Sequence, residues 1–523
     1  MSLRIGIDVG GTNTDAAVLR GADVVAATKA TTTEDVTSGI LKALTEVLVG
    51  IDPADVESVF IGTTHFINAI AQGKGLARVA AVRLATPPQS LFPMIDWPQH
   101  LMHIIGDDFH VVRGGSQFDG RLLSELDEDG VRETAAKIRA AGIKHVALSA
   151  VFSSVNADPE IRAAQILEEE LPGATVTRSA LVGRVGILER ENATILNAAL
   201  RDLAARVVDG LEQVVSSVGI AAPILLSQND GTVMTLDRAR LFPIFTIASG
   251  PTNSMRGAAL LADIDDGVVV DVGGTTSDIG MLQHGFPRES TIAMSLAGVR
   301  SNFRIPDVLS LALGGGTVIS KEGAGPEGSV AVGPESVGYR IGTEALVFGG
   351  SVTTFTDLAV AAGADPIGDA SQVEGLDPAL VEAGLNRVRD MLTRAIEKAK
   401  LSSADVPVIA VGGGAPLLKA VPGLDSIVIP ANAGVANAVG ASFAEAGGEV
   451  DRVYALDGKT RAQVLEEAKE LAVARAVEAG ADPERVRIIE AEEVPLTHLP
   501  GGTAVHARVK AVGPFNPTQI SKG

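Results

Sequence analysis

The feature that most constrains this chain is a short motif that occurs twice. Asp-Val-Gly-Gly-Thr stands at Asp8–Thr12 and again at Asp271–Thr275. Each copy lies between apolar stretches, IGIDVGGTNTDAAVL over 5–19 and VVVDVGGTTSDIGML over 268–282. Apolar stretches on both sides of a glycine turn predict a β-hairpin with a polar tip. Because about half of the chain separates the copies, they indicate two related domains rather than a short solenoid repeat.

Strand-like and helical stretches alternate after each copy of the motif, which predicts an α/β fold with mostly buried sheets. We expect residues 1–265 and 266–449 to form two duplicated domains, and residues 450–523 to form a small α+β appendage. An irregular segment, about 84–130, contains the single tryptophan, Trp97. We expect this segment to be an inserted subdomain that lines a cleft.

Composition excludes several classes of function. The formal net charge of -21 argues against nucleic acid and anionic membranes as partners, since both attract basic proteins. The chain has no cysteine, which excludes disulfides, zinc-thiolate sites and a cysteine nucleophile. No run of 18 apolar residues and no signal-peptide pattern is present, so we expect a cytoplasmic protein without a membrane span.

The hairpin tips are suited to binding phosphate. Glycines let a ligand approach the backbone N–H groups, and threonine hydroxyls add further donors. A lone copy would be interpreted more simply as a tight turn, but a turn alone does not require aspartate before it and threonine after it. The predicted phosphate-binding residues are Gly10, Gly11, Thr12, Asn13, Gly273, Gly274, Thr275 and Thr276.

Aspartates flank both tips. Asp8 and Asp271 end the first strand of each hairpin, where a carboxylate suits Mg²⁺, usually through bound water. We therefore predict that both bind the metal and act in catalysis. Asp15 and Asp278 close the two motifs and are expected to orient the turns, with metal or substrate contact as the alternative.

A third glycine-rich turn follows an apolar strand near the end of the second domain. The turn consists of Gly412, Gly413, Gly414 and Ala415, and we expect it to contact the purine and ribose of a nucleotide. Alone this signal is weak, because many strand-to-helix turns contain glycine. A further glycine turn, Leu313–Thr317, is equally compatible with lining the cleft and with ending a strand.

The two hairpin motifs, DVGGTNTD and DVGGTTSD, resemble the phosphate motifs of the hydantoinase A/5-oxoprolinase family. That family belongs to the acetate and sugar kinase/Hsp70/actin superfamily. The resemblance extends over about residues 3–450 and implies two actin-like (ribonuclease H-like) domains around an ATP cleft. Other similar stretches occur in the family's order: Gly62-Thr-Thr, Asn68-Ala69, Val151-Phe-Ser, Glu189-Arg190, Thr194-Ile-Leu-Asn-Ala198, Ser249-Gly-Pro251, Val332-Gly-Pro-Glu-Ser336, Thr356-Asp357 and Gly412–Pro416.

The resemblance implies an enzyme that opens a cyclic amide or imide, such as a hydantoin, 5-oxoproline or a lactam. The expected cofactors are ATP and Mg²⁺, with Mn²⁺ as a substitute, and the reaction would begin with phosphorylation of the carbonyl oxygen. The family often works with a second, larger subunit, hydantoinase B, and we also expect a homo-oligomer. Two alternatives stay open: a small-molecule kinase, and an ATP-binding or nucleotide-switch subunit of a ketone carboxylase-like complex.

Two residues are candidates for acting on the substrate. His65 follows Gly62-Thr-Thr and has a side chain suited to proton transfer, although a structural histidine would fit as well. Glu189 begins a long predicted helix, where it would either activate water or merely complement the helix dipole. Both regions depart from the family pattern: His65-Phe66 replaces small apolar residues, and Gly186-Ile-Leu188 replaces Arg-Glu-Tyr.

Overall fold

Strands and helices alternate along the chain in a computed structural model, which confirms the predicted α/β class. The structure describes residues 3–11, 13–31, 36–87, 91–290, 294–302, 305–321, 330–365, 367–400, 405–443, 445–456, 458–496 and 504–516. The strands in these ranges are β1 (Leu3–Val9), β2 (Asn13–Arg20), β3 (Asp23–Thr31), β4 (Val56–Thr63), β5 (Val79–Ala85), β6 (Phe109–Arg113), β7 (His145–Ala150), β8 (Thr175–Arg178), β9 (Ile224–Ser227), β10 (Thr232–Thr235), β11 (Gly267–Val272), β12 (Ser277–Gln283), β13 (Phe286–Pro287), β14 (Met294–Leu296), β15 (Val299–Ser301), β16 (Val308–Leu311), β17 (Thr317–Lys321), β18 (Val330–Ser336), β19 (Val408–Val411), β20 (Glu445–Ala455), β21 (Arg487–Leu496) and β22 (Ala504–Pro514).

The described helices alternate with these strands. They are α1 (Val36–Val47), α2 (His65–Gln72), α3 (Gln99–Ile105), α4 (Glu128–Ala140), α5 (Asp158–Glu170), α6 (Ile187–Ser217), α7 (Leu236–Leu241), α8 (Ser249–Ala262), α9 (Ile341–Glu344), α10 (Phe355–Ala361), α11 (Pro378–Ala399), α12 (Ala436–Ser442) and α13 (Arg461–Glu478). None of the described helices has the length and apolar character needed to cross a membrane.

The first hairpin lies within a nine-stranded sheet of order β21-β22-β20-β10-β9-β4-β1-β2-β3. β4 runs parallel to β1, and β9 runs parallel to β4. The carboxyl ends of these three strands therefore meet at one edge of the sheet, together with the hairpin tip. Apolar side chains of β1, β4, α1 and α6 pack into one core cluster beneath this edge.

The second hairpin lies within a five-stranded sheet, in which β13-β12-β11-β19 are in order and β16 also pairs with β12. β19 runs parallel to β11, so the predicted third glycine turn follows a strand that ends beside the second hairpin. Valines of β11 and β19 form a core with leucines of α10 and α11. Two-stranded sheets, β14-β15 and β17-β18, extend from this half.

The two hairpins have the same local structure. The Gly10 N–H donates to the Asn13 carbonyl at 3.0 Å, and the Gly273 N–H donates to the Thr276 carbonyl at 2.9 Å. In each hairpin the two aspartates are direct cross-strand partners, and a third antiparallel strand follows on the same side. The duplication predicted from the motif is therefore a duplication of a whole sheet segment.

Two helices carry the chain between the halves, and they cross in direct backbone contact. α8 leads into β11, and α12 leads back from the second half to β20. A Cβ on Gly257 of α8 would lie 1.9 Å from the Ala436 carbonyl oxygen of α12. A Cβ on Gly440 of α12 would lie 1.9 Å from the Asn253 carbonyl oxygen of α8. Only glycine permits the two helix backbones to approach this closely. The close crossing in turn holds the two sheets near each other.

The segment predicted as an insertion, about 84–130, is part of a larger unit. Its strand β6 pairs with β5 in a four-stranded parallel sheet, β6-β5-β7-β8, which α4 and α5 cover. Trp97 does not line a cleft, because it is 5% exposed and its Nε1 donates to Asn192 Oδ1 of α6 at 2.8 Å. The local sequence does not reveal strand pairing, and it is strand pairing that makes residues 84–130 part of a unit larger than the predicted insertion.

The C-terminal residues extend the first sheet. β20 pairs in parallel with β10, and β22 and β21 continue outward from it, with α13 packed on them. The predicted boundary between residues 449 and 450 falls inside β20. Ion pairs from Arg184, Arg508 and Lys510 meet at Glu289 and attach this region to both halves. The predicted appendage is therefore continuous with the first domain.

The contact between α8 and α12 predicts a stability effect. We expect Gly440→Ala to lower the free energy of unfolding by about 1–3 kcal/mol, the usual cost of overpacking. The added methyl would meet backbone, which cannot swing aside as a side chain can. Urea unfolding followed by circular dichroism measures the change. Gly342→Ala is the control, because that helical glycine is exposed and open. Equal stability of Gly440→Ala and wild type would show that the crossing is not tight.

Candidate functional site

The two predicted metal-binding aspartates meet at consecutive residues of one helix. The Asn253 Nδ2 donates to Asp8 Oδ1 at 3.1 Å, and the Ser254 hydroxyl donates to Asp271 Oδ2 at 2.5 Å. Asn437 of α12 donates to the other oxygen of Asp8 at 3.3 Å. The helix crossing thus brings together two carboxylates that belong to different sheets.

Both carboxylates are difficult to ionise in this position. Burial raises the pKa of Asp8, against the opposing effect of its two amide donors and of the Lys29 charge. Burial also raises the pKa of Asp271 to about 6; the Ser254 hydroxyl opposes this shift, and the charges of Asp278 and Asp8 add to it. Neutral groups donate to both carboxylates, so their charge is left to be balanced by a cation.

A glycine beside each carboxylate makes room for it. A Cβ on Gly62 would lie 2.4 Å from Asp8 Oδ1, and a Cβ on Gly412 would lie 2.2 Å from Asp271 Oδ1. Each glycine is at or just beyond the end of the parallel strand next to its hairpin. The glycines of the third turn therefore have a packing role that the sequence interpretation did not assign to them.

The hairpin tips are open to solvent. Among the described residues, no atom would lie within 4 Å of a Cβ placed on Gly11 or Gly274. Gly10 and Gly273 use their N–H groups to close the turns, and Asn13 is partly buried. Thr12 lies outside the described residues. The exposed predicted residues are Gly11, Gly274, Thr275 and Thr276.

The glycine turn at Leu313–Thr317 braces the second hairpin. The Gly315 N–H donates to the Gly273 carbonyl at 3.0 Å, and the Gly316 N–H donates to the Gly274 carbonyl at 2.8 Å. A trans peptide directs its N–H opposite to its carbonyl. The next N–H groups, at Gly274 and Thr275, therefore point away from this loop and form a fixed set of donors.

Only part of the third turn can face a ligand. Gly412 and Gly414 are buried, and their N–H groups donate to carbonyls of the fold at 2.9 and 2.8 Å. Ala415 is fully buried and donates to the Gly412 carbonyl at 3.2 Å. Gly413 is exposed, with open space around it. Of the four residues predicted to contact the nucleoside, Gly413 is thus the one that is exposed to a ligand.

His65 lies near the first hairpin. It begins α2, directly after Thr64, whose N–H and hydroxyl both donate to the Val9 carbonyl at 3.2 Å. The His65 N–H donates to the Thr63 hydroxyl at 3.1 Å. The first turn of α2 is therefore tied to the residue that precedes the Gly10 tip.

Glu189 is held at a different place. It lies in the first turn of α6 and forms an ion pair with Arg300 of β15 at 3.0 Å. No contact described in the structure joins it to Asp8 or Asp271. Its neighbour Arg190 is buried and donates to the Ala150 and Arg184 carbonyls, so it is structural. The predicted role of Glu189 in water activation therefore gains no support from its surroundings.

Sequence reasoning missed the residues that hold the carboxylates. Asn253 and Ser254 follow the recognised stretch Ser249-Gly-Pro251, and polar residues there interrupt a helix of small apolar ones. Asn437 interrupts the alanine- and glycine-rich run of α12 in the same way. A polar side chain inside a small-residue helix is the signal that would have identified them.

The site suits a magnesium ion whose other ligands would be oxygens of water and of a bound phosphate. Within the described residues, no group of three or more His, Asp or Glu side chains is arranged to hold a metal. Mg²⁺ is usually bound through one or two carboxylates, with water and substrate phosphates as its other ligands. Asp8 and Asp271, with neutral donors and raised pKa values, provide such a pair.

Comparison with known proteins identifies the family. The model of the hydantoinase/oxoprolinase N-terminal region matches residues 4–171, and the hydantoinase/oxoprolinase model matches residues 190–366. The chain belongs to the hydantoinase/oxoprolinase family. The resemblance predicted from the hairpin motifs is confirmed, and the two family segments cover both hairpins and α8.

Relatives within the hydantoinase/oxoprolinase family are named as subunits. Caprolactamase subunit alpha of Pseudomonas jessenii is 27% identical over 394 residues, 69% of this chain and 54% of that protein. The acetophenone carboxylase gamma subunit of Aromatoleum aromaticum is 24% identical over 261 residues, 48% of this chain and 35% of that protein. The chain thus spans about half the length of these curated relatives, or less.

A solved structure shows the same fold. The crystal structure of the ATP-dependent caprolactamase from Pseudomonas jessenii superposes with a TM-score of 0.78 at 20% identity. The match covers 98% of this chain and 88% of that chain. The agreement includes the C-terminal strands that extend the first sheet.

The raised pKa of Asp271 predicts a pH-dependent stability. The folded pKa is about 6 and the ordinary value is 3.8, so the folded state binds the proton more tightly. The stabilisation of the folded state by this tighter proton binding is complete below pH about 4 and is lost as the pH rises through about 6. In metal-free buffer, Asp271→Asn should exceed wild type in stability above pH 6, by at most about 3 kcal/mol.

Urea unfolding at several pH values measures this difference, which should shrink toward zero near pH 4. Asp129→Asn is the control, because that side chain is 94% exposed. A difference between Asp271→Asn and wild type that stays constant from pH 4 to pH 8 would contradict the raised pKa.

Proposed function

We propose that this family member binds ATP·Mg²⁺ between its two hairpins and uses it to open the ring of a cyclic amide or imide. The observation that carries the proposal is the meeting of Asp8 and Asp271 at Asn253 and Ser254. Two tips that expose N–H and hydroxyl donors flank this pair of carboxylates. Such an arrangement suits a polyphosphate with a bound cation.

The turn at Gly413 supports an orientation for the nucleotide. It follows β19, which pairs with β11 of the second hairpin. A nucleoside on the exposed Gly413 surface would place its phosphates along the second hairpin toward the first. The terminal phosphate would then lie beside Asp8 and near the start of α2, where His65 is located.

The chemistry explains why a cyclic amide would need ATP. The amide carbonyl oxygen attacks the terminal phosphorus, ADP leaves, and the O-phosphorylated ring carbon becomes open to water. Water adds to that carbon, the C–N bond breaks and the ring nitrogen leaves with a proton, which gives an acyl phosphate. A second water hydrolyses this acyl phosphate, which yields the ring-opened acid and phosphate beside the ADP already released. Bound Mg²⁺ would neutralise charge on the phosphates during the transfer.

This chain's own residues would align and stabilise that transfer. Asp8 and Asp271 are fixed by hydrogen bonds from two helices, so they need little reorganisation. The donors at Gly274 and Thr275 are fixed by the loop that braces them. His65 is the proposed group for proton exchange with the ring nitrogen.

The names of the relatives support the substrate class and a partner. Caprolactamase acts, by its name, on a lactam, and the matching relative is its alpha subunit. We infer that this chain needs a second, larger subunit for full activity. The acetophenone carboxylase gamma subunit favours one other candidate, an ATP-binding subunit of a ketone carboxylase-like complex.

An assay of ADP release against hydantoins, 5-oxoproline and lactams tests the proposal, with ring opening measured in parallel. It is run with and without bicarbonate and a candidate second subunit. We expect ADP and ring-opened product to form in equal amounts without bicarbonate. Asp8→Asn should lower the rate by about 10²-fold or more, because a carboxylate that would hold Mg²⁺ at the phosphates is lost.

Asp129→Asn should leave the ADP-release rate unchanged, because its side chain is 94% exposed on α4. ADP release that requires bicarbonate would favour the carboxylase candidate. A stable phosphorylated product without ring opening would instead indicate a kinase. Absence of nucleotide binding to wild type, with or without the second subunit, would reject all three.

A further inference from the structure

The strands that follow the two hairpins differ in charge at one matched position. β3 pairs with β2 so that Lys29 lies directly opposite Asp15. β16 pairs with β12 so that Ser310 lies directly opposite Asp278. Since the two sheets otherwise repeat one another in register, the first hairpin has an ammonium group where the second has a hydroxyl.

Lys29 extends from the outer strand toward the carboxylates. Its Nζ donates to both oxygens of Asp15, at 2.6 and 2.7 Å. Asp15 is the direct cross-strand partner of Asp8. Directly paired residues of neighbouring strands lie on the same face of a sheet. Asp8, Asp15 and Lys29 therefore share one face, which is the face that meets α8 and α12.

The ammonium group stays accessible. The Lys29 side chain is 39% exposed, whereas that of Asp15 is 6% exposed. A lysine head with three N–H donors can keep a contact to a carboxylate and bind a phosphate oxygen at the same time. A buried structural ion pair would offer no such opening.

The charge balance of the site requires a cation near the first hairpin. Four aspartates surround the proposed phosphate path: Asp8, Asp15, Asp271 and Asp278. Within the described residues, the hydrogen-bond donors to the other three are asparagine and serine side chains, and Lys29 supplies a positive charge at Asp15. That charge also partly offsets the rise in the pKa of Asp8 and of Asp271, so it acts on both halves of the site. A triphosphate adds more negative charge than one Mg²⁺ offsets.

We propose that Lys29 binds the terminal phosphate of the nucleotide at the first hairpin, while Asp15 holds and orients its ammonium group. The inference rests on the proposed function, because it needs the nucleotide to lie with its terminal phosphate beside Asp8. The matched Ser310 cannot supply this charge, so the two hairpins have different roles. The first binds the terminal phosphate, which is transferred to the substrate, and the second holds the part of the nucleotide that becomes ADP.

Calorimetric titration with Mg²⁺ and either ADP or the non-hydrolysable triphosphate AMPPNP tests this role. Lys29→Gln removes the charge and can still donate to Asp15, and Lys29→Arg keeps the charge. We expect Lys29→Gln to weaken AMPPNP binding about tenfold or more and ADP binding less than about threefold, since a charge-assisted bond to the terminal phosphate is lost. Lys29→Arg should bind both nucleotides within about threefold of wild type.

Ser310→Ala is the matched control at the same position of the second sheet, and it should change both affinities less than about threefold. Thermal unfolding of each variant is recorded beside the titrations. Equal losses for AMPPNP and ADP in Lys29→Gln would show that Lys29 only supports Asp15. Unchanged AMPPNP binding would reject the inference while leaving the proposed function intact. If wild type binds neither nucleotide, with or without the second subunit, the proposed function itself fails.

Discussion

Two hydrogen bonds from consecutive residues of α8 define the candidate site: Asn253 to Asp8, and Ser254 to Asp271. Each carboxylate belongs to a different sheet, so these bonds fix the distance between the two halves at the point where their hairpins end. The bonds are possible because α8 and α12 cross at backbone contact, which glycines at the crossing allow. Small side chains at the crossing are therefore as important to the site as the aspartates themselves.

The arrangement keeps two carboxylates close together without a protein cation on either one. Burial raises the pKa of both, the charges of Asp278 and Asp8 add to the rise at Asp271, and neutral donors offset these effects only in part. Such a site is costly for the folded chain alone and would become favourable with the proposed metal ion bound. Lys29 is placed one strand away, on Asp15, where it balances charge without occupying the space between the two carboxylates. The duplication thus gives both halves the same strand arrangement, and the proposed roles of the two hairpins differ because Lys29 of the first is matched by Ser310 of the second.

The sequence predicted the parts of this protein that depend on local pattern. Apolar runs around Gly-Gly specify both hairpins, and the long helix predicted to begin at Glu189 is α6. It did not predict that Asn253 would contact Asp8, because 245 residues separate them and no local signal encodes the pairing. The segment about 84–130 was misplaced for the same reason, since strand pairing decides its domain. The ion pair of Glu189 with Arg300 was not predicted either, because Arg300 comes from a distant strand.

The position of the carboxylates also links ligand binding to the arrangement of the two halves. A cation that needs both Asp8 and Asp271 can bind well only when the two sheets are as close as α8 holds them. Binding must therefore stabilise that arrangement over any in which the hairpins are further apart, by an amount set by the difference in affinity. Protons would compete with the proposed cation for Asp271, whose pKa is about 6, so the same linkage would make the arrangement depend on pH. The raised pKa values and the helix crossing are in this sense one property of the fold: the crossing buries both carboxylates near each other, and the proposed cation would offset their charge.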